Sequence, residues 1–596
     1  MSYQPPLKDM LFVMNELAEL STINTLPGCE DATADTVEAV LEENAKFCAN
    51  VVAPLNYPSD VKPSFWHDGQ VTTAAGFKDA FKSFAEAGWQ GVQHPVEFGG
   101  QGLPKLVATP CIEMLNAASI SFALVALLSD GAIEALITAG SDAQKAIYLE
   151  PLISGKWTGT MNLTEPQAGS DLAAVRTRAV PQDDGTYKVF GTKIYITYGE
   201  HDMADNIVHL VLARTPDAPA GVKGISLFVV PKFLVNADGS LGARNDAHCV
   251  SIEHKLGIKA SPTAVLQFGD HGGAIGTLVG EENRGLEYMF IMMNAARFGV
   301  GLQGIGLAER AYQQAVWFAK DRVQSRDVIG SAGPVTIIHH PDVRRMLMSM
   351  RSQTEAARAL AYVGAGLSDL AHHHPDAATR ASNLAVYEYL VPIIKGWSTE
   401  MAQDVTRDGV QVHGGMGFIE ETGAAQHYRD AKILTIYEGT TAIQANDLVG
   451  RKTVRDGGAV AKAILAQVRA TEAQLAEAGG AHFSAIGAQL ALGSSALEDV
   501  VDFMVANIKS DVQAVFAGSV PYLRLAGIVL GGWQMARAAL IAQRKLDDGQ
   551  GDASFYQAKI GTARFFADHM LSQAGSLRAS IVGGSAGVMA LTEAQF

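Results

Sequence analysis

The spacing of apolar residues along the chain changes its character twice. Up to residue 155 the apolar positions follow the period of amphipathic helices, whereas from 156 to 285 they form short, β-branched runs. From Leu286 onwards the helical period returns. This order predicts an α+β protein in which a helical domain, a β domain and a second set of helices follow one another.

The first 155 residues divide into an extension, 1–40, and an N-terminal α domain, 41–155. The extension is predicted to carry a short helix that packs on the body of the protein, because its apolar residues have helical spacing. These residues are Leu7, Met10, Leu11, Met14 and Leu17. In the α domain, helices are predicted at 36–52, 76–87, 106–117, 119–138 and 142–154.

The middle region, 156–285, is predicted to form an antiparallel β domain. Gly, Asp and Pro separate its apolar segments at the regular spacing that is typical of antiparallel sheets and barrels. The predicted strands are 158–163, 187–190, 193–197, 207–213, 224–231 and 264–268.

The last part of the chain is predicted to contain two helical domains. Long helical runs with small residues between large ones indicate an antiparallel four-helix bundle over 286–450. The bundle helices are predicted at 286–320, 340–371, 378–409 and 441–450. Residues 451–596 form an extra helical domain, with helices predicted at 457–478, 482–508, 517–546 and 554–579.

Composition limits the classes of function. The net charge of −16 argues against a general binder of polyanions such as nucleic acid. The four cysteines are scattered without C-x-x-C spacing, which fits a reducing compartment and argues against a zinc site or disulfides. Residues 1–8 have no signal-peptide core, and the apolar run 121–128 is too short to span a bilayer. We therefore expect a cytoplasmic protein without a metal or a membrane span.

The stretch from Gln411 to Asn446 is the most informative part of the sequence. Glu438 stands between an apolar run, 433–437, which we expect to be mostly buried, and Gly439. Thr440 or Thr441 is placed to cap a helix that runs to about Gly450. Partial desolvation would raise the pKa of Glu438 towards that of a general base, whereas the alternative is a carboxylate that complements the following helix.

Two separated motifs resemble the signatures of the acyl-CoA dehydrogenases. The first comprises Tyr437-Glu438-Gly439-Thr440 with the upstream segments 429–433 and 411–418, which read RDAKI and QVHGGMGF. The second is Leu163-Thr164-Glu165-Pro166-Gln167-Ala168-Gly169-Ser170-Asp171. The resemblance covers about residues 40–450. At 596 residues, the chain is most similar to the larger bacterial members, which include enzymes acting on 3-(methylthio)propionyl-CoA.

The resemblance implies FAD-dependent α,β-dehydrogenation of an acyl-CoA thioester to the trans-2-enoyl-CoA. In that reaction Glu438 removes the α-proton and flavin N5 takes the β-hydride. The backbone N–H of Glu438 also hydrogen-bonds the thioester oxygen, and Gly439 suits the close approach of the backbone. An electron-transfer flavoprotein would then accept the electrons.

The resemblance also implies the residues that bind the cofactor and the substrate. Tyr195 would pack on the flavin ring, where many relatives have Trp, and the hydroxyl of Thr197 would reach N5. Arg322 and the turn at Gln411 would contact the FAD of a neighbouring subunit, which implies a homodimer. The cofactor-binding residues are Met161, Leu163, Thr164, Gly169, Ser170, Tyr195, Thr197, Arg322, Gln324, Gln411, Gly414, Gly415 and Thr440. The substrate-binding residues are Ser170, Asn294, Arg297 and Gly439.

Several other features receive plainer interpretations. The G-x-G-x-x-G pattern at 299–304 lies within a predicted helix, so close helix packing explains it better than a dinucleotide site. Arg297 can also be read as a solvated helix arginine. His94 is interpreted as a loop residue, and the run 372–374 as an exposed loop without a partner spaced for a metal.

Two alternative functions remain. An acyl-CoA oxidase would share the base and the flavin but pass electrons to oxygen. A flavin-containing nucleic-acid-binding relative would need a basic C-terminal domain. Residues 451–596 contain thirteen Lys or Arg and twelve Asp or Glu, which argues against that second alternative.

Overall fold

A computed structural model describes residues 2–596; Met1 and the side chain of Ile291 lie outside the described residues. The chain forms two compact units. The first, which we call the helical unit, contains the residues up to Ala45, Pro104–Ala117 and Val300–Phe596. The second, the mixed unit, contains Lys46–Leu103 and Ala118–Gly299.

The helices follow the predicted periodicity closely. In chain order they are α1 Leu7–Phe12, α2 Leu20–Ile23, α3 Ala34–Phe47, α4 Asn56–Val61, α5 Phe77–Glu86, α6 Lys105–Ala118, α7 Ile120–Ala139, α8 Asp142–Ile153, α9 Gly285–Asp321, α10 Pro341–His373, α11 Ala377–His413, α12 Ala424–Ala431, α13 Thr441–Asp447, α14 Ala459–Ala478, α15 Gly480–Asn507, α16 Val512–Ala517, α17 Ser519–Asp547, α18 Ala553–His569, α19 Ala574–Gly583 and α20 Ser585–Val588.

The strands lie in the mixed unit. They are β1 Phe65–His67, β2 Gln70–Thr72, β3 Trp157–Asn162, β4 Arg178–Pro181, β5 Tyr187–Thr197, β6 Asn206–Ala213, β7 Ser226–Pro231, β8 Phe233–Val235, β9 Leu241–Arg244, β10 Ala247–Ile252, β11 Thr263–Phe268 and β12 Ala274–Val279. The main sheet has the order β10-β11-β5-β12-β7-β6-β3, and β4 pairs with β5.

The sheet differs from the prediction in three respects. First, β3 and β6 run parallel, so the sheet is not purely antiparallel as predicted, although the other strand pairs of the described residues are antiparallel. Second, the segments predicted as 187–190 and 193–197 form one strand, β5. The sequence also missed β4, β10 and β12, because polar residues and glycine interrupt their apolar pattern.

Strands β6 and β7 form the centre of the mixed unit. Every residue of both strands is buried, which is why they read as nearly continuous apolar runs rather than as alternating ones. Helix α7 packs against β3, and Gly159 of β3 allows this approach, since a Cβ there would lie 2.4 Å from Ala132. The end of β3 is thereby held in a fixed place.

Long helices form the helical unit, where α10 packs against α11 and α17. The glycines at 301 and 304 belong to α9, and a Cβ at either position would lie 2.6 Å from an atom of α11. The interpretation of these glycines as sites of close helix packing is therefore confirmed. The predicted helix 554–579 was wrong, because Met570–Gln573 separate α18 from α19.

A buried network of charges joins the N-terminal extension to the rest of the helical unit. The guanidinium of Arg358 contacts Asp9 at 2.8 Å, Glu113 at 2.6 Å and Glu309 at 2.8 Å. Lys559 of α18 contacts the same Asp9 at 2.7 Å. Burial raises the pKa of Asp9, but the charges of Lys559 and Arg358 outweigh it and lower the pKa to about 2. The expected packing of the extension on the body is confirmed.

Among the described residues, two helices are long and apolar enough to span a membrane by length and composition. The apolar run at 121–128 belongs to the first of them, Ile120–Ala139, and is thus longer than the sequence indicated. Within the chain, 72% of this helix's most apolar window and 89% of that of Ser519–Asp547 are buried. Such burial is typical of core helices.

Candidate active site

The turn that carries Glu438 lies in the helical unit. A short 3-10 helix, Lys432–Thr435, precedes it, and Thr440 caps α13 by accepting a hydrogen bond from the N–H of Ile443. Of the two capping candidates, the structure thus selects Thr440. The α-helix ends at Asp447 and continues as a π-helical segment, Leu448–Val454, instead of ending near Gly450.

The backbone of Glu438 has an uncommon conformation. Its φ is +53°, in the left-handed region that only glycine adopts without strain, and Gly439 follows with φ +86°. Glu438 is half-buried. The expectation that the run 433–437 is mostly buried is confirmed except at Ile436, which is 49% exposed. The predicted upward shift in the pKa of Glu438 stays a prediction.

Four hydrogen bonds hold the main chain on either side of Glu438. Lys395 of α11 donates from Nζ to the carbonyl oxygens of Leu434, at 2.9 Å, and Gly439, at 2.7 Å. Gln444 of α13 donates from Nε2 to the carbonyl oxygens of Glu438, at 3.2 Å, and Gly439, at 3.1 Å. Sequence reasoning missed Lys395, although one lysine within the apolar run 390–397 was a visible signal.

Tyr437 is fixed as well. Its hydroxyl donates a hydrogen bond to the side-chain carbonyl of Gln303 on α9. Burial raises the pKa of Tyr437 above its ordinary value, and the neighbouring carboxylate of Glu438 adds to the shift. The residue before Glu438 is therefore a neutral, hydrogen-bonded phenol.

The other motif lies at the end of β3 in the mixed unit. Met161 is buried, and Leu163 and Thr164 are half-buried just after the strand. The carbonyl oxygen of Leu163 accepts a hydrogen bond from Nζ of Lys193 at 3.1 Å. That of Thr164 accepts one from the N–H of Ile194 at 3.0 Å. These bonds place the end of β3 beside Tyr195 of β5.

Tyr195 has the features of a surface for a flat ligand. It lies at an irregularity in the pairing of β5 with β11, has φ +60° and is 60% exposed. A bulky residue in this backbone region, with its ring turned outwards, is a strained arrangement that is characteristic of functional sites. Thr197 is half-buried at the end of the same strand and pairs with Thr263.

A buried carboxylate organises the loop after β3. Glu165 accepts hydrogen bonds from the N–H groups of Arg176, at 2.7 Å, and Thr177, at 3.0 Å, and from Nζ of Lys193 at 2.8 Å. Burial raises the pKa of Glu165, but Lys193 outweighs it and lowers the pKa to about 2. Burial also lowers the pKa of Lys193 to about 8. Sequence reasoning missed this pair.

The loop that Glu165 organises leaves room for a ligand. Gly169 and Ser170 are exposed, and a Cβ at Gly169 would meet no heavy atom within 4 Å. An open glycine turn, half-buried residues at a strand end and an outward aromatic ring together fit a phosphate, the pyrimidine edge and the ring of a flavin nucleotide. The residues proposed from the sequence are thus compatible with FAD in the mixed unit.

The two residues of α9 predicted to bind substrate differ in burial. Asn294 is half-buried, whereas Arg297 is only 3% exposed. The alternative interpretation of Arg297 as a solvated helix residue was therefore wrong. A buried arginine needs partners for its charge.

The residues expected to reach a neighbouring subunit are exposed on the helical unit. Arg322 and Gln324 lie on a segment whose backbone pairs with residues 335–337. Gln411 is exposed near the end of α11, where Gly414, with φ +60°, and Gly415 form an open turn. Large apolar side chains follow both segments and are exposed: Val328, Ile329, Met416, Phe418 and Ile419.

The interpretation of His94 as a loop residue is confirmed, but the sequence did not indicate its burial or its partners. Its side chain is fully buried, and Nε2 lies 2.6 Å from Oδ1 of Asp130 on α7. Its Nδ1 lies 3.6 Å from the carboxylate of Glu134, one helical turn further on. His372 and His373 also differ from the expectation, since they form the last turn of α10.

One group of side chains has the composition of a metal site. Asp246, His248 and His271 place their ligand atoms within 4.8 Å of one another. Hydrogen bonds explain the arrangement, since Asp246 also accepts from the N–H groups of His271, at 2.7 Å, and Gly273, at 3.1 Å. The expectation that the protein uses no metal stays a prediction.

Comparison with protein families covers most of the chain. Residues 34–156 match the family model described as acyl-CoA dehydrogenase, N-terminal domain, and residues 160–271 match the middle domain. Residues 283–452 match the C-terminal domain of the same family. Residues 464–592 match a fourth model, acetyl-CoA dehydrogenase C-terminal like.

Individual proteins are similar over nearly their whole length. A 3-methylmercaptopropionyl-CoA dehydrogenase of Ruegeria pomeroyi is 53% identical over 96% of each chain. The broad-specificity linear acyl-CoA dehydrogenase FadE5 of Mycobacterium tuberculosis is 35% identical over 100% of each. The structure of an acyl-CoA dehydrogenase of Bacillus anthracis complexed with FAD has a TM-score of 0.73 at 22% identity, covering 94% of this chain and 90% of that one.

Proposed function

The chain belongs to the acyl-CoA dehydrogenase family, and from this premise we propose the residues that carry its reaction and the acyl group that it accepts. The enzyme is an oxidoreductase that dehydrogenates an acyl-CoA thioester to the enoyl-CoA with FAD as its cofactor. The order of helical, β and helical domains predicted from the sequence is the order of this fold.

The proposed substrate is 3-(methylthio)propionyl-CoA. The observation that supports it is the 53% identity, over 96% of each chain, with the Ruegeria pomeroyi enzyme that is named for this acyl group. The second candidate is a short linear acyl-CoA, because FadE5 is named for linear chains and is similar over its full length. Both candidates carry hydrogen on the α-carbon and on the β-carbon, which the reaction removes.

Glu438 is the proposed base that removes the α-proton. Its half-buried carboxylate stands on a main chain that four hydrogen bonds hold in place, so it does not need to reorganise before proton transfer. The backbone N–H of Glu438 is proposed to donate to the thioester oxygen, which makes the α-proton more acidic. Gly439 has no side chain to block this approach.

The mixed unit is proposed to hold the flavin. Leu163 and Thr164 would present main-chain and hydroxyl groups to its pyrimidine edge, and Gly169 and Ser170 would lie near a phosphate. Tyr195 would pack against the ring. FAD, when bound, supplies the acceptor for the hydride that leaves the β-carbon.

A homodimer is the proposed assembly. Large apolar residues beside Arg322 and Gln411 are exposed, and contact with a second copy of the chain would remove them from water. Burying these residues against a second copy would let Arg322, Gln324, Gln411, Gly414 and Gly415 reach a partner's cofactor, as expected from the family. We also propose a cytoplasmic location, because Cys29, Cys48, Cys111 and Cys249 are buried thiols.

An electron-transfer flavoprotein is the proposed electron acceptor. The rival activity is that of an acyl-CoA oxidase, which would reduce oxygen to peroxide. Turnover with an artificial electron acceptor in air, without peroxide, supports the dehydrogenase. Stoichiometric peroxide would instead establish the oxidase.

Anaerobic bleaching of the flavin absorbance tests the substrate proposal. The purified enzyme is mixed with 3-(methylthio)propionyl-CoA, butyryl-CoA, isobutyryl-CoA and palmitoyl-CoA in separate experiments. The expected result is the fastest bleaching with the thioether substrate and slower bleaching with butyryl-CoA. Faster bleaching with butyryl-CoA at equal concentration would contradict the proposal of a thioether substrate and support the linear acyl group.

A further inference from the structure

Lys395 is an unusual residue at its position in α11. Its side chain is fully buried, and its neighbours along the helix, Ile394 and Trp397, are buried apolar residues. Placing an ammonium group in such surroundings is unfavourable unless hydrogen bonds compensate for the lost water. A methionine or leucine would fill the same space without this cost, so a lysine at this position requires a specific reason.

The partners of Lys395 indicate that reason. Its Nζ donates to the carbonyl oxygen of Leu434, within the 3-10 helix that precedes the turn, and to that of Gly439, directly after Glu438. The two acceptors are five residues apart in sequence, yet one ammonium group binds both. The main chain between them, which includes Glu438, is thus closed into a loop whose two ends share one donor.

A second donor holds the same loop. The amide of Gln444 lies close to Gly439, where a Cβ would lie 2.7 Å from Nε2 of Gln444. The absence of a side chain at Gly439 thus lets the amide of Gln444 reach the carbonyl oxygens of Glu438 and Gly439. The carbonyl of Gly439 therefore accepts from both Lys395 and Gln444.

The loop needs this support because its backbone is strained. A glutamate at φ +53° is less stable than one in the ordinary helical region, because its Cβ lies close to the following carbonyl oxygen. Without the two donors, the segment would relax to a conformation in which the carboxylate and the N–H of Glu438 point elsewhere. The restraint thus acts on both groups that the proposed mechanism assigns to this residue.

We propose that Lys395 is a positioning residue of the reaction: its buried ammonium group fixes the Leu434–Gly439 loop and thereby aims the carboxylate and N–H of Glu438 at the substrate. This inference rests on the proposed role of Glu438 as the base. Lys395 itself does not have to touch the acyl group.

The test compares Lys395→Met with Lys559→Met. Both lysines are buried in the helical unit, but Lys559 donates to the carboxylates of Asp9 and Glu355 instead of to the turn of Glu438. The two variants therefore share the same substitution and differ in the segment they release. Three quantities are measured: bound FAD, hydrogen exchange of the amides in 433–441, and the anaerobic rate of flavin reduction at saturating acyl-CoA between pH 6 and 10.

For Lys395→Met we expect unchanged FAD content and faster amide exchange at 433–441. The reduction rate should fall by about 10- to 100-fold, because misplacing a catalytic group by an ångström has effects of that size. The pH profile of its reduction rate should change, because the carboxylate of Glu438 is no longer held in the same surroundings. Lys559→Met should keep the wild-type rate and profile, with faster exchange at α1 and α18 instead.

Unchanged exchange and an unchanged rate in Lys395→Met would overturn the proposal, as would an equal loss of rate in Lys559→Met. If Lys395→Met does not yield folded protein, Lys395→Gln is used instead, because it retains one donor group. An intermediate rate is expected from Lys395→Gln, and a wild-type rate would overturn the proposal.

Glu438→Gln is measured in the same experiment. Wild-type reduction by that variant would refute the proposed base, whereas an inactive Glu438→Gln with a wild-type Lys395→Met would refute only the positioning role.

Discussion

The Nζ atom of Lys193 lies 2.8 Å from the Oε1 atom of Glu165, and both side chains are buried in the mixed unit. Lys193 also binds the carbonyl oxygen of Leu163, and Glu165 binds the backbone of Thr177. One ion pair therefore connects the end of β3, the loop that follows it and strand β5. This is the framework on which the proposed flavin contacts at Leu163 and Tyr195 depend.

Removal of one member of this pair should destabilise the mixed unit. We expect Glu165→Gln to lower the free energy of unfolding by about 3–5 kcal/mol, because it leaves Lys193 buried without its counter-charge. FAD affinity should fall in parallel. Denaturant unfolding followed by flavin fluorescence measures both effects.

The control for this prediction is Asp183→Asn, which changes an exposed carboxylate of the same unit. The double variant Glu165→Gln/Lys193→Met should recover part of the lost stability, because no unpaired charge remains. A double variant less stable than Glu165→Gln alone would show that the ion pair is not the source of the effect.

Removing a charge from the buried network of the helical unit should destabilise the protein more than removing one from a surface ion pair. Arg358→Met leaves the carboxylates of Asp9, Glu113 and Glu309 close together without their shared cation. We expect a loss of at least about 3 kcal/mol, as for other broken buried pairs. Thermal unfolding of the full-length protein would show it as a markedly lower Tm.

Arg578→Met provides the matched comparison, because its partner Asp499 lies on the surface at 2.7 Å. Exposed ion pairs contribute about 0–1 kcal/mol, so this variant should keep nearly the wild-type Tm. Similar Tm values for Arg358→Met and Arg578→Met would contradict the structural importance of the network.

Two buried histidines should make the mixed unit sensitive to acid. Burial lowers the pKa of His201 and of His209 to about 3. In the unfolded chain each imidazole binds a proton below about pH 6.5, whereas the folded state does not until about pH 3. The contribution of the two neutral histidines to the free energy of unfolding is therefore fully present above pH 6.5. It is lost as the pH falls from 6.5 towards 3.

At pH 5 each histidine should lower the free energy of unfolding by about 2 kcal/mol relative to pH 7 and above. Denaturant titrations at both pH values measure the difference. In His209→Gln the difference should be smaller by about that amount, whereas His254→Gln, at an exposed position, should leave it unchanged. An identical pH dependence in wild type and His209→Gln would contradict the assignment.

Exposed apolar residues should control the oligomeric state. Ile329 and Phe418 are 91% and 85% exposed, so Ile329→Asp/Phe418→Asp should prevent dimer formation without unfolding the subunit. Light scattering should show a dimer for the wild type and a monomer with reduced FAD content for the variant. Val588→Asp, an exposed apolar position near the C-terminus, is the control. A wild-type tetramer, or a variant that stays dimeric, would contradict the proposal.

The elements predicted from the sequence are those with a clear apolar period. Helices α10 and α11 begin and end within four residues of the prediction, because their buried faces repeat without interruption. Strands β10 and β12 were missed, because their alternation is broken by a serine or a glycine. The parallel pairing of β3 with β6 depends on contacts between distant segments, which local periodicity does not encode.

In the candidate site, too, residues with a local sequence signal were predicted and residues that act through distant contacts were missed. Glu438 was found because two motifs carried the family resemblance, and Thr440 was found because its residue type suits a helix cap. Lys395, Glu165 and Lys193 were missed, because each stabilises backbone groups far from it in sequence. Buried charged residues inside apolar segments are the signal that would have indicated them.

Anaerobic flavin reduction by Glu438→Gln tests the central claim most directly. The variant and the wild type are loaded with FAD and mixed with saturating 3-(methylthio)propionyl-CoA, and the loss of flavin absorbance is followed in a stopped-flow instrument. Because glutamine has nearly the same shape but does not take up the α-proton, FAD and substrate should still bind. Reduction should be slower by several orders of magnitude. Reduction of Glu438→Gln at the wild-type rate would contradict the assignment of Glu438 as the base.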